Sequence, residues 1–206
     1  MKIRISGMAL AAMLVLAALC VPAQASPGKK ASDKATSGVT WVYPVIKKFG
    51  GVHPRPDADM QPDPGADYKI FVDVVHASKD PAKMYGSLNR LARLVNLMGY
   101  AKVPADHVHI VALLDGRTGM ASLTDAAYAR EWAKFDPKHA TKGMKNPNLA
   151  VIHALKKAGV KLMICSQAMA ELGLKDSDID PSVTITLSAL TDPVIYGHRG
   201  YTYMQL

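Results

Sequence analysis

Cys165 is the residue best placed to do chemistry in this chain. It closes the mostly apolar run Val160-Lys161-Leu162-Met163-Ile164 and is followed by Ser166-Gln167 and a short helical pattern. A strand that hands a thiol to a helix N-terminus brings it to unpaired N–H groups and a partial positive charge, which favour thiolate over thiol. The thiolate is the nucleophile. In open α/β sheets that turn is also where ligands bind, so the expectation is an electron-rich sulfur in an open crevice. Ser166 and Gln167 can cap the helix or hydrogen-bond the sulfur and whatever it carries. Position alone leaves three uses for the thiol: a buried apolar filler, an intermolecular bridge or a reactive group.

Other chemistry-bearing residues are arranged less tellingly. His107 and His109 share one face of a strand, His76 ends another strand and His153 lies on a helix. None of these spacings matches a zinc arrangement, so no metal and no other cofactor is expected. There is no GxGxxG or GxxxxGK[ST] run and no recognisable Ser-His-Asp order. Asp178 and Asp180 read as solvated loop carboxylates. A thiol peroxidase would want an arginine such as Arg117 near the sulfur, and nothing in the sequence fixes that geometry.

Composition sets the setting. Lys2 and Arg4 precede an apolar run from Met8 to Val21, and Ala23-Gln24-Ala25 supplies a small-x-small cleavage pattern. The run is too short to span a bilayer, so residues 1–25 read as a signal peptide and the mature protein as periplasmic, with no stable membrane insertion. Leu19 stands where lipid attachment at Cys20 would want a small side chain, so Cys20 is assigned to the leader. Cleavage after Ala25 would leave 181 of 206 residues and one of the two cysteines, which rules out an intrachain disulfide. Without Lys2 and Arg4 the basic residues number 23 against 17 acidic ones, a net charge of +6. The lysines are scattered and not interleaved with aromatics, so nucleic acid is not the expected partner.

Residues 26–66 form a proline-rich extension. Pro44, Pro54, Pro56, Pro62 and Pro64 exclude a regular helix or a central strand there. Within it, Trp41 to Ile46 is apolar enough to pack on its own domain or on a neighbouring subunit. The domain proper, 67–206, opens with a strand from Tyr68 to His76. Asp80-Pro81 reads as a helix start, followed by Met84, Leu88, Leu91, Val95 and Met98 at alternating steps of four and three. His107 to Leu114 is a second strand, closed by Asp115-Gly116. Ser122-Leu123-Thr124-Asp125 has capping-box spacing before a helix with Tyr128, Trp132 and Phe135. Asn146-Pro147 opens a further helix that Gly159 stops. Val160 to Cys165, Val183 to Leu187 and Tyr201 to Gln205 complete five strands, with helices at Gln167 to Leu172 and after Asp192-Pro193. Strands separated by helices predict an α/β fold, a three-layer α/β/α sandwich around a mainly parallel five-stranded sheet.

Several of these pieces resemble one family. Asn146-Pro147-Asn148-Leu149, Leu155-Lys156-Lys157-Ala158-Gly159-Val160, Ile164-Cys165-Ser166-Gln167 and Leu187-Ser188-Ala189-Leu190 with Gly200-Tyr201 look like the ordered motifs of the DsrE/DsrF-like family. Gly50-Gly51-Val52, Pro54, Pro56 and Gln61-Pro62 are similar to the leading segment of its exported members. The likeness spans about residues 43 to 203. It implies a subunit that assembles into homotrimers or larger rings such as hexamers, and a cysteine, Cys165, that carries sulfur as a persulfide. Ser166 and Gln167 would flank the carrier, with a sulfur donor or acceptor protein or a small thiol as partner; apart from the resemblance, His76, Asp115 and Gly116 at strand ends are further candidate binding residues. Two departures stand out. Ser166 replaces the glycine often found after the cysteine, and Asp115-Gly116 stands where many exported members have His-Gly. A carboxylate beside a thiol disfavours the thiolate, so Asp115 could not do a histidine's work. The competing reading is a non-catalytic oligomeric module that binds a small ligand or a partner and keeps its cysteine buried.

Overall fold

The computed structural model describes residues 39–138, 141 and 143–206, so the leader lies outside the described residues. Five strands form one sheet: β1 (Tyr68–Val74), β2 (Val108–Leu114), β3 (Lys161–Cys165), β4 (Val183–Thr186) and β5 (Thr202–Gln205). Their order is β4-β3-β2-β1-β5, and every neighbouring pair is parallel. The helices are α1 (Gly86–Tyr100), α2 (Asp125–Phe135), α3 (Leu149–Lys157), α4 (Ser166–Leu172) and α5 (Asp192–His198). This is the α/β fold, a parallel sheet flanked by helices, that the alternation of strands and helices predicts.

The strand order explains how the helices divide. From β1 to β4 each connection steps in one direction across the sheet, and right-handed crossovers then place α1, α2, α3 and α4 on one face. The last connection returns past β1, so α5 must lie on the other. The buried side chains agree. Ile70, Val72, Ile110, Ala112, Leu162 and Ile164 pack with Leu88, Leu91, Ile152, Leu155 and Met169 in one large core. The alternate strand residues Phe71, Val111, Leu113 and Met163 pack with Tyr196 of α5 in a small second cluster. One face is thickly covered; the other carries a single two-turn helix.

The described part of the proline-rich stretch is fixed to α1. Asn96, fully buried on that helix, accepts from the backbone N–H groups of Val45 (2.9 Å) and Ile46 (2.7 Å). It donates to the carbonyls of Ile46, Phe49 and Gly50. Gly50 has a φ of +65°, and a Cβ there would fall 2.1 Å from the Arg93 nitrogen. Only glycine lets the strap lie this close. Ile46 is buried, whereas Trp41, Tyr43 and Val45 stay largely exposed.

Two helix starts differ from the sequence expectation. Asp80-Pro81 makes a turn, with the Asp80 carboxylate accepting from Ala82 N, and α1 begins only at Gly86. The cause is tertiary. Tyr85 is extended and buried, and its N–H is captured by the Asn148 side chain at 2.8 Å. At α2 the capping residue is Thr124, whose hydroxyl accepts from Ala127 N, while Ser122 donates to Gly119 O and closes a 3-10 turn. Asn146 and Asn148 act as staples rather than chemistry. Asn146 donates to the carbonyls of Ala121 and Leu123, and Asn148 holds Tyr85.

Candidate functional site

Cys165 is the last residue of β3 and the N-cap of α4. By strand alternation its side chain shares the α5 face with Met163. It pairs in register with Thr186 of β4. The segment 187–191 folds over it, and Ala189 N–H donates to Sγ at 3.2 Å. The residue is 5% exposed. The open crevice expected from sequence is therefore roofed, because β4 ends at Thr186 and its continuation crosses in front of β3.

Ser166 and Gln167 hold that roof in place. The Ser166 hydroxyl donates to the Leu187 carbonyl at 2.8 Å, and the Gln167 amide donates to the same oxygen at 3.2 Å. Behind the roof, the Thr186 hydroxyl donates to Asp192 Oδ1 at 2.7 Å. Asp192 is buried at the start of α5, and its Oδ2 makes no hydrogen bond. Leu187 and Leu190 point outward from the roof, 70% and 85% exposed. A polar latch thus sits beneath an apolar outer surface.

His76, Asp115 and Gly116 come together elsewhere. With Lys79 and Arg117 they line a shallow cavity of about 320 Å3 at the ends of β1 and β2, and neither Cys165, Ser166 nor Gln167 belongs to its wall. The Asp115 carboxylate accepts from Gly116 N at 2.8 Å and caps the turn Gly116–Ser122. The His76 carbonyl accepts from Ser87 Oγ. Gly116 has a φ of +53°, which fits the tight exit from β2. The sequence-predicted residues thus form two groups, one around the sulfur and one around the β1 and β2 ends.

A larger cavity of about 510 Å3 escaped the sequence reading. Tyr85, Arg117, Met120, Trp132 and Phe135 line it, with Ala168, Glu171 and Leu172 of α4. Tyr128, Trp132 and Phe135 have the spacing of a helix face that faces a core. Phe135 does not behave so, being 61% exposed. The missed signal was Gly116-Arg117: its turn carries a cation over these rings, 4.2 Å from the Phe135 centroid. Beside the cavity, burial pushes the Tyr128 hydroxyl up to about 12, and burial raises Tyr85 too. Glu131 is buried and paired with Arg130 (2.9 Å) and Lys134 (3.0 Å). The Arg130 guanidinium beside Asp178 holds that carboxyl below the usual range. Asp178 is therefore part of a charge network, whereas the sequence read it as simply solvated. Asp180 likewise meets His153 at 3.0 Å; burial opposes its ionisation, but His153 and Ser182 outweigh it and keep its carboxyl low. Among the described residues, no three His, Cys, Asp or Glu side chains are grouped as a metal site would need, and no helix is long and apolar enough to cross a membrane.

Comparison with known proteins bears on the fold and the lineage. The structure of a Methanobacterium thermoautotrophicum protein of unknown function, MTH1491, is similar at 15% identity and a TM-score of 0.43, covering 68% of this chain and all of that one. No curated protein matches. The model of the DsrE/DsrF-like family matches residues 69–206, from the first strand to the last residue and across Cys165 and its roof. The chain belongs to the DsrE/DsrF-like family.

Proposed function

We propose that this protein is an exported, homo-oligomeric sulfur-relay protein in which Cys165 holds sulfur as a persulfide. The observation that carries the reading is the sulfur's place: the end of a central strand, against the Ala189 N–H, under a segment latched by side-chain hydrogen bonds. A backbone N–H directed at sulfur can donate to a lone pair of a thiol, a thiolate or a persulfide alike, and so holds the atom in one place. The transfer is redox-neutral. The Cys165 thiolate attacks the terminal sulfur of a donor persulfide, the S–S bond to the donor breaks as the new one forms, and the donor leaves as a thiolate that takes up the proton. No metal, nucleotide or other cofactor enters the step. The partners would be a sulfur donor and an acceptor, each a protein thiol or a small thiol.

Export to the periplasm is supported by the leader-like sequence of residues 1–25. Assembly into a trimer or hexamer is supported by the thin face, where Leu190, Val194 and Ile195 lie exposed. The test is intact mass after incubation with a persulfide donor. Wild type should gain the mass of one sulfur atom, and Cys165→Ala should gain nothing. Unchanged wild type, or equal gain on the variant, would refute the proposal.

The burial of Cys165 favours a second reading, a non-catalytic ligand- or partner-binding module with a structural cysteine. Thiol titration of the native fold separates the two. Rapid labelling supports the relay, and labelling only after denaturation supports the module.

A further inference from the structure

The 510 Å3 cavity has the size of a small-molecule site, which falls between roughly 300 and 1,000 Å3. Its wall is mostly apolar, with Phe135, Leu172 and Met120 open to it above the buried rings of Trp132 and Tyr85. Such a wall suits a flat apolar body, since ring faces and thioethers pack well against aromatics.

The charges on its rim are not equivalent. Glu131 is neutralised from two sides, by Arg130 and Lys134, so neither it nor Lys134 is free to hold a ligand. Arg117 differs: among the described residues no carboxylate lies within ion-pair distance of it, and its guanidinium rests on Phe135 at 4.2 Å and near Trp132 at 5.9 Å. Stacking of this kind holds the guanidinium plane while leaving its edge N–H groups to a planar anion, which arginine grips with two parallel hydrogen bonds. Glu171 adds a negative group from α4 and so confines a ligand's anion to the Arg117 end.

We infer that this cavity binds a planar aromatic carboxylate, with its ring against Met120, Leu172 and the uncovered side of Phe135 and its carboxylate on Arg117. The site uses neither Cys165 nor the segment above it, so it stands or falls apart from the sulfur chemistry.

Calorimetric titration of the full mature chain with 2-naphthoate, and with its neutral isostere 2-naphthamide, tests this. The expected result is saturable one-to-one binding of naphthoate, with the amide at least tenfold weaker. Arg117→Gln should lose at least tenfold for naphthoate and little for the amide. No saturable naphthoate binding, equal affinity for acid and amide, or full naphthoate affinity in Arg117→Gln would overturn the inference. Should Arg117→Gln fail to fold, Arg117→Lys takes its place, and the acid-to-amide ratio on wild type decides independently.

Discussion

The two faces of the sheet differ in what they ask of the rest of the chain. On one, four helices bury a continuous core that includes Leu88, Leu91, Ile152 and Leu155. On the other, Phe71, Val111, Leu113 and Met163 have the single helix α5 over them, Tyr196 stacking on Phe71 at 5.4 Å. Burial scales with area, so the first face carries most of the stability. The second leaves its outer side apolar and keeps the cysteine. Most of the buried core and the lone cysteine of the described residues lie on opposite sides of five strands, and topology made that division: three crossovers run one way and one runs back.

The contrast breaks most visibly in the thick core. Leu91→Ala, at a fully buried position, should lower the unfolding free energy by about 2 to 5 kcal/mol, read as a reduced urea midpoint. Next comes alkaline pH. Tyr85 and Tyr128 hold their protons in the fold beyond the point, near 10, where the unfolded chain releases them. The stability they lend is complete below pH 10 and falls as pH rises towards about 12. Denaturation midpoints across that range should slope downward, and Tyr128→Phe should flatten the slope. On the thin face the effects move from stability to access. Ser166→Ala combined with Gln167→Ala frees the Leu187 carbonyl, and native Cys165 should label several-fold faster in a thiol assay with little change in midpoint. The smallest stability effect belongs to Leu190→Lys, within about 0.5 kcal/mol because the side chain is exposed. Under the proposed assembly, light scattering should show fewer associated subunits, and an unchanged particle mass would remove Leu190 from the proposed interface.

Much of this architecture was legible from the residue pattern. Five strands show as β-rich or alternating runs, and Leu88, Leu91, Val95 and Met98 mark one helical stripe, because burial imposes a period that the chain must obey. Helix starts were read less well. The Asp80-Pro81 signal is local, and it lost to the burial of Tyr85 and the hydrogen bond its N–H donates to Asn148, a partner 63 positions away. The site was half legible. Cys165 stands where a strand meets a helix, as expected, but the roof comes from the segment after β4, and no spacing rule says which loop will cross a given strand end. His76 and Asp115 end neighbouring strands, as the sequence indicates, and the structure gathers them around their own depression, whose wall does not include the cysteine. The aromatic cavity stayed hidden because Trp132 and Phe135 look the same in sequence whether they fill a core or line a void.

The strap held by Asn96 has a practical corollary. Because Gly50 is pressed against the α1 backbone, the chain enters the folded body beside a helix on the heavily covered side, remote from α5. A fluorophore attached at an exposed strap position such as Trp41, which lies over Arg93 of that helix, would therefore leave the cysteine side unobstructed.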